Sequence, residues 1–154
     1  MLTDIELGEF LKSRAIEYEI LKHGHSYRAD EASRELGIDI REIVKSVLFI
    51  TAEGTAVLVI VRGDRRVEQT KLAHELGTRK LRLASKEEVA RITGYEAGTL
   101  PPVGHKNAIK TLIDNAVQAE KFVYAGGGTI GASLKIRVSD IIFLQNAKFT
   151  ECMY

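Results

Sequence analysis

The chain has 154 residues, 45% hydrophobic content and a formal net charge of +1. That length suits one domain with a real core. The near-neutral charge excludes a strongly basic, histone-like or membrane-coating protein but leaves room for a local nucleic-acid patch.

The single cysteine, Cys152, cannot form an internal disulfide, so a cytoplasmic protein is expected. No apolar run reaches the roughly 18 residues of a membrane span. The opening Met1-Leu2-Thr3-Asp4 is acidic and amphipathic, unlike a signal peptide.

Thr3 and Glu6 have capping-box spacing, and Leu7, Phe10 and Leu11 follow at helical intervals, predicting a helix to about Ala15. Tyr18 and Ile20 alternate with Glu17 and Glu19 as in a half-buried strand. His23-Gly24-His25 reads as a turn. Ala29, Ala32, Ser33 and Leu36 form one face of a helix that Gly37 stops, and Asp39 with Glu42 suggests a capped turn. Val44–Ile50 and Thr55–Val61 flank Glu53-Gly54 and predict a hairpin, its second strand buried on both faces. Arg62-Gly63-Asp64 turns the chain. Gln69–Leu76 is helical and stops at Gly77, and Leu81 and Leu83 alternate as in a strand. Ser85 and Glu88 form a second capping box, opening a helix through Val89 and Ile92.

Thr93–Lys106 then carries both prolines, side by side, and three glycines. This composition writes a shaped loop, and its length favours a binding role over a plain connection. Lys110–Asp114, Lys121–Ala125 and Ser133–Val138 read as strands, and Ser139-Asp140 as the cap of a last short helix through Ile142 and Leu144. The sum is a single-domain α/β (α+β) fold over residues 1–154, with six or seven short strands among short helices.

Lys45 interrupts an apolar strand. It is either an edge lysine that snorkels to solvent or an ammonium aimed into a pocket, where it fixes an anionic or carbonyl oxygen. Gly126-Gly127-Gly128 follows a strand directly. It either lets backbone approach a ligand or serves as a flexible connection, and it matches neither a Walker loop nor a dinucleotide fingerprint. No cysteine or second histidine pair completes a metal site around His23 and His25, so no metal ligand and no cofactor is assigned. His105, just after the Gly-Pro loop, is a candidate hydrogen-bonding partner for a ligand, with surface solvation the alternative. Arg62–Arg82 carries seven bases against three acids. Such a run is either a solvated face or a phosphate-contacting patch. No nucleophile elbow or Ser/His/Asp grouping is present.

Together these pieces resemble the YbaK/prolyl-tRNA editing family of aminoacyl-tRNA deacylases. The matching positions, in order, are His23 with Asp30-Glu31-Ala32, Ile43–Phe49, Thr93-Gly94-Tyr95, Gly98–Gly104, Ile113-Asp114 and Ala125–Gly128 before a final Ser-Asp-Ile. The resemblance implies a mixed, partly barrel-like sheet surrounded by helices. It also implies hydrolysis of the ester that joins a wrong amino acid to tRNA. No synthetase sequence flanks the domain, so the free-standing, trans-acting form is the one resembled.

Lys45 falls on the family's key lysine, and Gly98 and Pro102 on its Gly-x-x-x-Pro substrate loop. The implied site adds Thr99, Gly104, His105, Gly127 and Gly128 as substrate-binding residues and His23 and Arg28 as pocket residues. The implied partners are the acceptor end of misacylated tRNA and an aminoacyl-tRNA synthetase, with no DNA and no membrane. Arg28, Thr99 and Pro101 depart from the family's usual residues at positions expected to line or shape the amino-acid pocket. A non-catalytic tRNA- or aminoacyl-binding module on the same fold is the alternative reading, and a small-molecule esterase is a third.

Overall fold

A computed structural model describes residues 1–23 and 28–152 of the chain. Five α-helices and eight strands are seen there: α1 (Asp4–Ser13), β1 (Tyr18–Lys22), α2 (Ala29–Leu36), β2 (Val44–Thr51), β3 (Ala56–Arg62), α3 (Gln69–Leu76), β4 (Leu81–Leu83), α4 (Lys86–Thr93), β5 (Lys110–Asp114), β6 (Phe122–Gly126), β7 (Ala132–Arg137), α5 (Val138–Gln145) and β8 (Lys148–Thr150). Single 3₁₀ turns occupy Ile40–Glu42 and Asn115–Ala119. Gly24 and His25, expected in a turn, lie outside the described residues.

The strands form two sheets, one ordered β1-β7-β6 and the other β4-β2-β3-β5-β8. The first is antiparallel throughout. The second is mixed, because β3–β5 and β5–β8 pair in parallel. The sheets join along one side through a parallel bridge between Ile43 and Tyr124, which gives the α/β fold with its partly barrel-like sheet.

β3 is the spine. Val57, Leu58, Val59, Ile60 and Val61 are all at most 1% exposed, as its unbroken apolar run predicts. Leu58 and Ile60 pack toward the three-stranded sheet with Leu7 and Leu11 of α1, among other residues. Val57, Val59 and Val61 face the opposite way, onto Leu72 of α3 and Cys152. One strand therefore serves two cores. Each fully buried aliphatic side chain there is worth about 1.5–3 kcal/mol.

Both predicted capping boxes form. Thr3 N–H donates to Glu6 at 2.9 Å, and Glu88 N–H donates to Ser85 Oγ at 3.1 Å. The helix-stopping glycines Gly37, Gly77 and Gly94 adopt left-handed backbone. Ser139 and Asp140 do not cap α5. Its N-cap is Arg137, with no side-chain cap bond, because β7 runs straight into the helix and leaves Ser139 in the first turn. The eighth strand, Lys148–Thr150, lay beyond the predicted set. It is too short and too polar to show periodicity and exists by pairing with β5.

Candidate active site

β4 covers the outer edge of β2 only from Phe49 to Thr51. At its other end, the chain pairs with β6 through the isolated Ile43–Tyr124 bridge. The stretch of β2 between them has no strand beside it on that edge, and there a cleft of about 700 Å³ opens. Its floor is Val44, Lys45 and Ser46 of β2. Ala29, Ala32 and Leu36, the i, i+3, i+7 face of α2, form one wall. The turn after β3 supplies Gly63 to Arg66, the Gly-Pro loop supplies Gly98 and Leu100, and β6 and the start of β7 close the remaining side.

The Lys45 ammonium makes no hydrogen bond and no ion pair among the described residues. Burial pushes its ammonium pKa down from the ordinary lysine value, nearby Arg66 adds to the fall, and Asp64 opposes it. Beside it, Ser46 lines the same cleft, and its Oγ is buried with no hydrogen-bond partner among the described residues. His23 reaches the cleft from the end of β1, its Nε2 3.0 Å from Ser133 Oγ. Arg28 lines it from just before α2, 3.8 Å from Asp30.

The Gly-Pro loop is fastened at both ends and in the middle. Lys106 N–H donates to Thr93 C=O at 2.8 Å, and Tyr95 OH donates to Gly104 C=O at 3.2 Å. Thr99 is 3% exposed, and its N–H and hydroxyl both donate to Glu96 C=O, at 3.1 and 2.8 Å. Its own carbonyl accepts from Gly128 N–H at 2.9 Å. Gly98, at φ +92°, and Leu100 line the cleft, and neither N–H has a hydrogen-bond partner among the described residues.

The candidate residues therefore separate. Lys45, Gly98, His23 and Arg28 come together on the cleft. Thr99, Pro102, Gly104, His105, Gly127 and Gly128 stand behind its wall. Gly104 packs against Leu7, Phe10 and Tyr95, and Gly128 against Thr3 and Tyr95. His105 Nε2–H donates to Pro101 C=O at 2.7 Å, and burial lowers the imidazole pKa, partly offset by that bond. Of the three departures from the family pattern, only Arg28 lines the cleft. Leu100 and Ser133 were missed as cleft residues. Leu100 lies two residues after Gly98 in the same loop, and that nearness was the signal that could have found it.

Chemically, one cleft brings together an ammonium on a rigid strand and two residues whose backbone N–H groups, like that ammonium, have no partner among the described residues. Such a pair can hold a carbonyl and stabilise the negative charge that develops on its oxygen.

The model of the aminoacyl-tRNA editing domain family matches residues 23–144, a span that contains every residue lining the cleft. A proline–tRNA ligase of Stenotrophomonas maltophilia is 38% identical over 108 residues, covering 68% of this chain and 19% of the ligase. One of Geobacter metallireducens is 40% identical over 98 residues, covering 64% of this chain and 17% of the ligase. The chain thus spans less than a fifth of the length of these curated relatives. Among solved structures, a candidate trans-editing enzyme for prolyl-tRNA synthetase superposes with a TM-score of 0.89 at 29% identity, covering 98% of this chain and 96% of that one. With the family model matching well over half of its length, the chain belongs to the aminoacyl-tRNA editing domain family.

Proposed function

We propose that residues 1–154 act as one trans-editing deacylase unit, hydrolysing the ester between a wrong amino acid and the terminal ribose of tRNA. The observation that carries this reading is the presence, in one cleft inside the family-matched span, of the Lys45 ammonium and the N–H groups of Gly98 and Leu100, none of them with a partner among the described residues. Its likeness over nearly the full length of the trans-editing candidate supports action in trans. The ligase relatives support a link to prolyl-tRNA synthetase and its tRNA, and the proposed place of action is the cytoplasm.

In this reading Lys45 orients the acceptor end, holding the ester carbonyl or a ribose oxygen. Gly98 and Leu100 N–H groups receive the oxyanion when water attacks the carbonyl carbon. The bond to the ribose oxygen then breaks, that oxygen takes a proton, and free amino acid and tRNA leave. The vicinal ribose hydroxyl relays the proton. An aminoacyl ester is already activated, so positioning and oxyanion stabilisation suffice without a protein nucleophile. Behind the wall, His105, Thr99, Pro102, Gly104, Gly127 and Gly128 serve by holding the loop in place.

The test is release of free amino acid from a panel of misacylated tRNAs by wild type and Lys45→Ala. Turnover by wild type that the variant lacks is expected. Binding without turnover across the panel would favour the non-catalytic module. Turnover of simple esters with no salt-sensitive RNA binding would favour a small-molecule esterase.

A further inference from the structure

The basic run Arg62–Arg82 breaks into separate groups in three dimensions. Arg62 is spent on Asp64 in a two-pronged pair at 3.1 and 2.8 Å, and Arg82 on Glu88 at 2.7 and 2.9 Å. Lys71 lies 3.6 Å from Glu151. Arg79 and Lys80 sit in a shallow groove beside Ile50 and Thr51, at the far end of β2 from Lys45. Lys45 and Thr51 are six residue steps apart along β2, roughly 20 Å.

That leaves Arg65 and Arg66. Both line the cleft, both are exposed, and neither guanidinium has an ion pair or hydrogen bond among the described residues. The acid beside them, Asp64, is already occupied by Arg62. Arg66 stands close enough to Lys45 to disfavour its charge. Three cations thus gather at one side of an open cleft, where the adjacent carboxylate, Asp64, is already shared with Arg62, an arrangement that an incoming polyanion relieves.

The mount is rigid. Arg65 N–H donates to Arg62 C=O at 3.1 Å, and Gly63 N–H to Ile43 C=O at 2.8 Å. A Cβ on Gly63 would lie 2.8 Å from Ala29 Cβ, so α2 is pressed against this turn.

We propose that Arg65 and Arg66 form a phosphate-binding rim that grips the sugar-phosphate backbone of the substrate's terminal nucleotides, separate from the ester-binding floor at Lys45. The apolar face of α2 opposite offers a surface for the base and sugar. The proposal rests on the editing reading and adds a direction of entry: the strand comes in over the turn after β3.

The test compares the Arg65→Gln/Arg66→Gln double variant with wild type on two substrates. One is misacylated tRNA. The other is 3′-aminoacyl-adenosine, which has the ester but no phosphate. On tRNA, kcat/KM should fall about 10- to 100-fold, mainly through KM. The plot of log KM against log salt should also flatten by about 1.4, as expected when two single-strand phosphate contacts are lost. On aminoacyl-adenosine the variant should show no such rise in KM, whereas Arg79→Gln/Lys80→Gln should retain wild-type KM on both. Equal loss on both substrates, or none on tRNA, overturns the rim. Binding of a CCA trinucleotide, followed by fluorescence anisotropy, is independent of turnover. If wild type deacylates nothing, the editing reading fails, and the rim then stands or falls on whether the double variant weakens trinucleotide binding.

Discussion

A Cβ on Gly126 would lie 2.3 Å from the carbonyl oxygen of Leu100. β6 and the Gly-Pro loop are packed backbone to backbone at this point, and only glycine permits it. Gly126→Ala must push the loop outward, and Leu100 with it. We expect a loss of about 1–3 kcal/mol in stability and at least a tenfold fall in deacylation of misacylated tRNA, about the cost of a displaced hydrogen-bond donor. Urea unfolding and single-turnover deacylation measure the two. A wild-type rate in a folded variant would remove Leu100 N–H from the mechanism.

Lys45→Met should abolish most activity, by about 100-fold or more, without lowering Tm. The lysine's pKa is depressed in the fold, chiefly by burial. A charged Lys45 is therefore a cost to the folded state at neutral pH, and that cost fades as pH rises toward the ordinary value of 10.5. Wild type should gain stability relative to Lys45→Met over that rise. A Tm well below wild type at pH 7 would instead show a structural lysine.

Thr99 is turned away from the cleft, with both its donors on Glu96 C=O. Thr99→Gly should cost about 1 kcal/mol through the lost side-chain bond and leave the ranking of misacylated substrates unchanged. A changed ranking across the tRNA panel would mean that Thr99 shapes the amino-acid pocket after all.

His105 carries a pH signature. Its pKa is lowered in the fold, by burial before anything else, from an ordinary 6.5. The unfolded chain then binds the proton first as pH falls. Its stability contribution is full above about 6.5 and is lost as pH drops through the folded value. Carboxylates held to about 2, such as Glu88 beside Arg82 and Asp39 beside Arg41, lose their ion pairs only below the ordinary carboxylate range. The slope of stability against pH between about 6.5 and 5 should therefore flatten in His105→Gln. An unchanged slope would show that His105 is not the group responsible.

Cys152 should be inert. Its thiol is fully buried beside Asp114 and pushed up to about 12, mainly by burial. Its backbone N–H donates to Asp114 at 3.0 Å. Native protein should react with Ellman's reagent far more slowly than protein in guanidinium, and equal rates would show an accessible thiol.

Much of this protein was legible in its sequence because the signals are local. The capping boxes at Thr3 and Ser85, the stopping glycines and the apolar run of β3 act within a few residues. The oddity of Lys45 in an apolar strand and of paired prolines between glycines needs no partner to be noticed. What the sequence could not decide was direction. Thr99 and Gly98 are neighbours, but one faces the core and the other the cleft, because the C=O of Thr99 is claimed by Gly128 from a distant turn. The glycine run read as a ligand wall is mostly a seat for that loop. Of the seven bases of one segment, Arg62, Lys71 and Arg82 are paired, because Asp64, Glu151 and Glu88 reach them from different places in the fold. Periodicity tells which residues share a face; only the packing of that face against another surface tells whether it meets a core, an ion pair or an open cleft.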